Sequence, residues 1–168
     1  SKGYSTLSVD AFLPWIDKAN TKFAEEIKSN RALFFNVGLG LDDSDEPMPL
    51  SFKEAGSVIA SFVRGKGCQN AVYSSKCKHV DVPVVQCDAI LKLVNAQAEI
   101  LKVDIEMLHH ACVRSLHRVD TAILPKFVCW EEHDKPFGAD KSLRPITDAK
   151  LILGMHELGY DGVKIVLQ

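Results

Sequence analysis

The stretch Ile100-Leu101-Lys102-Val103-Asp104-Ile105-Glu106 decides the fold. Its first four residues, apolar except for Lys102, read as a strand of the kind buried in a parallel sheet. Asp104 and Glu106 close the run, and a helical pattern from Leu108 to His117 follows at once. A strand that ends in acids and feeds a helix is how an open α/β sheet sets carboxylates at the rim of a ligand crevice.

Working outward, the same alternation recurs on both sides. Tyr4 to Val9 alternates as a short strand and stops at Asp10. Leu13 to Ser29 predicts a helix: Pro14 suits its first turn, and Ile16, Ala19, Phe23 and Ile27 fall near a 3.6-residue period. Ala32 to Leu41 is a β run, Asp42 to Pro49 carries turn residues and acids, and Leu50 to Phe52 returns as a hairpin strand. Val80 to Val85 reads as an edge-type strand because of Pro83. Asp88 is placed to cap a short helix, Ala89 to Val94. On the far side, Pro125 introduces the strand Phe127 to Trp130. Asp134 to Arg144 is loop, Thr147 to Leu158 is a helix stopped by Gly159, and Val163 to Leu167 is a closing strand. The expected architecture is α/β, a mostly parallel central sheet with flanking helices, in a single domain over residues 1–168.

Composition bounds the function. The 168 residues suffice for one ordinary core, and 46% hydrophobic with 25% charged residues is normal for a globular domain. A net charge of −2 gives no long-range field for nucleic acid, so a nucleic-acid partner is not expected. No apolar stretch reaches membrane-spanning length, and no signal-peptide core follows Ser1. Five cysteines, at 68, 77, 87, 112 and 129, form no Cys-x-x-Cys pair. Cys87 and Cys129 fall within apolar patterns and read as small core residues, which favours a reducing compartment.

Acids close three of the strands: Asp10 after Val9, Asp104 with Glu106 after Val103, and Glu131 with Glu132 after Trp130. In a parallel sheet such ends lie on one edge and can converge on one crevice. Asp10 is placed to accept both ribose hydroxyls of a nucleoside, because a carboxylate is a bidentate acceptor. Asp104 and Glu106, two residues apart, face one side if the strand continues, where they suit a cation, an amino group or a hydroxyl. Glu106 equally suits the first turn of the following helix, where the dipole favours an acid. His133 has the intrinsic pKa of a general base near neutrality, or belongs to a polar loop. His109, His110, Cys112 and His117 read as structural or solvated helix residues, and no metal is expected. Arg64 and Lys66 lie among glycines, but the phosphate-loop pattern is absent. A metal-dependent hydrolase built on Asp104, Glu106 and Glu131 is disfavoured, since His133 alone among the histidines follows a strand end.

Taken in order, these segments resemble the FkbM-type S-adenosylmethionine (SAM) methyltransferases. The run from Val82 to Leu91 is similar to the family's "V-x-V-x-x-x-D-x-L/I-L" segment, with Asp88 at the acidic position. Leu101 to Glu106 is similar to "LK-[IV]-D-[IV]-E". Pro125 with Glu131 and His133 resembles "P…E-x-H", and Leu158, Gly159 and Tyr160 resemble the late "L-G-Y" turn. Tyr4 to Pro14 is similar to the second strand, and residues 33 to 45 to the third strand and its turn. The resemblance implies a Rossmann-like domain that binds SAM and methylates the hydroxyl of a sugar or other small molecule. It implies that Asp10 holds the ribose and that the turn from Gly40 through Asp42 and Asp43 borders the adenine. Asp104 and Glu106 would line the methyl-transfer side, with Glu131 and His133 near the acceptor; Asp104, Glu131 and His133 are the implied catalytic set. The family's first strand and glycine loop would precede Tyr4, so the first βα unit is expected to be missing from this chain. Met107 stands where the family has glycine, and His109 where it has a second glutamate. These departures open an alternative: a degenerate, non-catalytic domain that binds protein partners in a larger assembly.

Overall fold

A computed structural model of the chain describes residues 3–40, 47–52, 60–61, 78–105, 109–130 and 144–162. It is a mixed α/β protein that divides into two compact units, Ser1–Val85 and Gln86–Gln168.

The first unit opens with a βαβ arrangement. β1 (Thr6–Val9) pairs in parallel with β2 (Ala32–Phe35), in the register Thr6↔Ala32 to Val9↔Phe35. Two helices connect them, α1 (Leu13–Lys22) and α2 (Ala24–Lys28). Pro14 lies in the first turn of α1, where a missing N–H costs nothing, and Ile16 is the residue that α1 buries. The single helix expected over 13–29 is broken at Phe23, whose backbone leaves the helical region (φ −111°, ψ 29°) and whose ring stacks on Phe34 at 5.7 Å. A tertiary contact has overridden an unbroken helical period. Asn30 then ends α2 in the left-handed region (φ 55°), which asparagine tolerates better than most residues.

The β run expected over 32–41 is interrupted in the same way. Its first part is β2, while Gly38–Leu39 form β3 and pair in parallel with β7 (Val84–Val85). Asn36 lies between the two parts. β4 (Met48–Phe52) forms no hairpin with β3; it pairs antiparallel with β5 (Ala60–Ser61) and β6 (Lys78–Val82). Pro83 separates β6 from β7, and Pro49 lies opposite Asp81 of β6, outside the two-residue ladder with β5. Both prolines thus avoid positions where two neighbouring strands would need their N–H. Phe12, Leu50, Phe52 and Val82 form the core here, with Phe12 edge-on to Phe52 at 4.9 Å.

The second unit holds α3 (Cys87–Val94), β8 (Ile100–Val103), α4 (His109–Ser115), β9 (Phe127–Trp130) and α5 (Arg144–Glu157), with single 3-10 turns at Leu116–Arg118 and Thr121–Ile123. β8 and β9 pair in parallel from Ile100↔Phe127 to Val103↔Trp130. Val103 is buried as expected, but Ile100 and Phe127 are each 62% exposed, so β8 is not the fully buried strand its composition suggests. The two residues face each other across a ladder that has two strands among the described residues. Leu91, Val113, Leu116, Leu124, Leu151 and Met155 are buried, and each such side chain contributes roughly 1.5–3 kcal/mol. α5 starts at Arg144, three residues before the expected Thr147, and ends in a Schellman turn. The Gly159 N–H donates to the His156 carbonyl (2.9 Å) and the Tyr160 N–H to that of Met155 (3.1 Å), with Gly159 at φ +95°.

Two cysteine expectations need correction. Cys87 and Cys112 are buried but joined in a disulfide that ties the first turn of α3 to α4. Cys129 is an exposed thiol, because β9 turns its alternate residues outward. A buried disulfide does not favour a reducing compartment. Among the described residues no helix is long and apolar enough to cross a membrane. Among the described residues the strands pair in five short ladders, three parallel and two antiparallel, spread over four small sheets. The expected closing strand over 163–167 lies outside the described residues.

Candidate functional site

Asp10 sits where β1 ends. Its N–H donates to the Phe35 carbonyl at 3.1 Å, the last rung of the β1–β2 ladder. Asn36 then reaches back, its Nδ2 donating to the carbonyls of Asp10 (3.0 Å) and Ala11 (2.9 Å). The Phe12 N–H donates to Asp10 Oδ1 at 2.7 Å, and Phe12 is itself buried against Phe52. The acid is therefore held by a strand, an amide side chain and a core residue. Among the described residues no hydrogen bond reaches its second oxygen, Oδ2. Asp10 as a residue is exposed, yet partial desolvation of its carboxyl raises its pKa above 3.8, against the Phe12 hydrogen bond that lowers it. Asn36 is the part of this site that the sequence reading missed; its only signal was a polar residue interrupting a β run.

Asp104 likewise follows a parallel strand, β8, in the second unit. It is half-exposed and accepts a hydrogen bond from Lys102 Nζ at 2.9 Å. An ion pair so open to water is worth about 0–1 kcal/mol. The other predicted site residues, Asp42, Asp43, Glu106, Glu131 and His133, lie outside the described residues.

A different acid forms the strongest electrostatic cluster. Asp88 does not cap its helix. Gln86 occupies the N-cap position, and Asp88 lies in the first turn of α3, 4% exposed. It accepts from Lys92 Nζ at 2.9 Å and from Arg118 Nη2 at 2.8 Å and Nε at 3.1 Å, while Arg118 also donates to Gln86 Oε1. Burial pushes the Asp88 pKa up, but the Lys92 hydrogen bond and the charges of Arg118 and Lys92 outweigh it, and the net pKa is lowered. All the capacity of this carboxylate is used internally, which makes it structural. Arg118, 30 residues away, gave no sequence signal of this pairing.

The histidine-rich helix has no ligand geometry of its own. His109 is buried with its ring edge-on to His110 at 4.2 Å, and Cys112 is consumed by the disulfide. Among the described residues no group of three or more His, Cys, Asp or Glu side chains is arranged to hold a metal ion. A groove of about 500 Å³ lies between α4 and α5, and neither Asp10 nor Asp104 is among its described lining residues. The candidate chemistry thus rests on the strand-end acids, and the groove is a separate feature.

Comparison with protein-family models, with curated proteins and with solved structures finds no match.

Proposed function

We propose that this chain is a SAM-dependent, O-methyltransferase-like domain in which Asp10 holds the ribose of the cofactor and a sugar or other small hydroxyl compound is the methyl acceptor. The observation that carries the reading is the seat of Asp10. It closes the first strand of a parallel βαβ arrangement, with one oxygen tied to a backbone amide and the other turned to no partner among the described residues. In open α/β sheets nucleoside ligands are held at such carboxyl ends of strands, by an acid that accepts ribose hydroxyls. Desolvating that carboxyl opposes folding at neutral pH, and sites that keep such an acid are candidates for function.

Methyl transfer from a sulfonium is an in-line displacement, so the protein's contribution is positioning and exclusion of water. When bound, SAM supplies the activated methyl group. Asp10 and the Asn36 clamp would fix the nucleoside end. Roles for Asp104, Glu131 and His133 on the acceptor side rest on the resemblance alone.

A second reading is a non-catalytic domain of the same architecture that serves as a structural or binding module for protein partners. It is favoured by the Lys102–Asp104 pair, which gives the second strand-end acid an internal role, and by Met107 in place of the family's glycine. Calorimetric titration with SAM separates the two. Micromolar binding by the chain, lost in Asp10→Ala, supports the first. Absence of binding by this chain and by any longer form that contains it sinks the first and leaves the module.

A further inference from the structure

The groove between α4 and α5 combines an apolar floor with cations that join no ion pair among the described residues. Val113, Leu151 and Met155 form the floor, 1%, 5% and 6% exposed, and Leu153, 61% exposed, adds an apolar wall. Arg114, His117 and Lys150 stand around it. Arg114 spends its Nε on the His110 carbonyl at 3.2 Å, and among the described residues neither Arg114 nor Lys150 joins an ion pair. On a chain whose net charge is −2, two such cations beside apolar surface are a local reversal of sign.

Charge also runs along the groove. Lys150, Gly154 and Glu157 recur at i, i+4 and i+7 on one face of α5, so Lys150 and Glu157 are separated by about 10 Å of helix and mark opposite ends. Gly154, between them, lies close to the His117 ring. A Cβ there would lie 3.1 Å from His117 Nε2, so the ring would have to shift slightly to admit a larger residue. A volume of about 500 Å³ falls within the usual range of small-molecule sites.

We propose that this groove binds a small anionic amphiphile, an aliphatic carboxylate being the simplest example, with its acid head at the Arg114 and Lys150 cations and its chain on Val113, Leu151, Leu153 and Met155. The apolar floor provides the transfer free energy of the chain, and the cations give direction and exclude neutral or cationic guests of the same shape. Glu157 repels a second acid group, so the preferred guest carries its charge at one end. None of the residues invoked for this groove is assigned to the proposed SAM site.

Sodium decanoate, titrated by calorimetry with decanol as the neutral control, tests the inference. Decanoate binds and decanol binds at least about tenfold more weakly, the effect expected for losing a charge-assisted hydrogen bond. Lys150→Glu weakens decanoate by about tenfold or more, while Lys18→Glu, an equal charge change in the first unit, leaves it unaltered. Lys150 is exposed, so its variant retains the wild-type melting temperature. Failure of decanoate to bind at millimolar concentration, equal binding of decanol, or equal losses in both lysine variants overturns the proposal.

Discussion

Asp10 and Asp88 are both acids placed beside the end of an ordered element, and the protein treats them in opposite ways. Asp88 is buried and answered by two cations, so its pKa falls. Asp10 receives one backbone hydrogen bond and, among the described residues, no cation, and desolvation leaves its pKa raised. The first arrangement stabilises the fold and leaves nothing over for a ligand. The second works against stability at neutral pH and leaves an oxygen available. Burial alone therefore does not identify a functional acid; what matters is whether its partners are already present within the protein.

The contrast extends to the segments around each acid, and the largest expected effect tests that. The Cys87–Cys112 bridge closes a loop of sequence separation 25 beside Asp88. Replacing both cysteines with alanine should lower stability by about 3 kcal/mol, read as an unfolding free energy in urea. No loss would mean that the Asp88 neighbourhood is held by its packing and ion pairs alone.

Asp88→Ala comes next. Lys92 and Arg118 are half-exposed and regain water when the acid is removed, so the cost is on the order of 1–2 kcal/mol, below that of breaking a fully buried pair. The pH dependence has a definite sign. With the folded pKa below 3.8, the contribution is complete above that value and is lost as pH falls through the depressed folded pKa. Acid unfolding followed by circular dichroism should therefore show a shallower limb in Asp88→Asn than in the wild type. An unchanged limb would remove Asp88 from the set of stabilising acids.

Gly159→Ala serves as an uncharged control in the same unit. Alanine at φ +95° should cost about 1 kcal/mol, with no dependence on pH in this range. A pH-dependent loss would show that acid effects in this unit are not confined to its charged cluster.

The smallest effect has the opposite sign. Asp10→Asn keeps an oxygen for the Phe12 amide and removes the desolvated charge. With the folded pKa raised, the acid's contribution is full below 3.8 and is lost as pH rises through the folded value. The variant should therefore melt about 1–3 °C higher at pH 7 and gain nothing in acid. A lower melting temperature at neutral pH would place Asp10 among the structural acids with Asp88.

Local pattern carried the sequence reading a long way. β8 and β9 were legible to the residue as apolar runs, and Asp10 and Asp104 stand at strand ends as read. What failed depended on partners distant in sequence. Phe23 breaks a helix by stacking on Phe34, and the Asn36 clamp reaches back 25 and 26 residues. Cysteine spacing gave no connectivity, and the odd count concealed the bridge between Cys87 and Cys112. An apolar composition also did not make Ile100 buried, because its cross-strand neighbour Phe127 is exposed with it. Both groove-lining elements, α4 and α5, were legible, but the space between them was not, since it depends on how helices 30 residues apart approach each other.

The central claim is that Asp10 is kept for a ligand at some expense of stability. One comparison of wild type with Asp10→Asn tests it, reading SAM affinity by calorimetry and melting temperature on the same samples. The account predicts that the variant loses at least about tenfold in affinity, the effect of one missing charge-assisted hydrogen bond, while its melting temperature rises. Unaltered SAM affinity, or a parallel fall in both quantities, would contradict it.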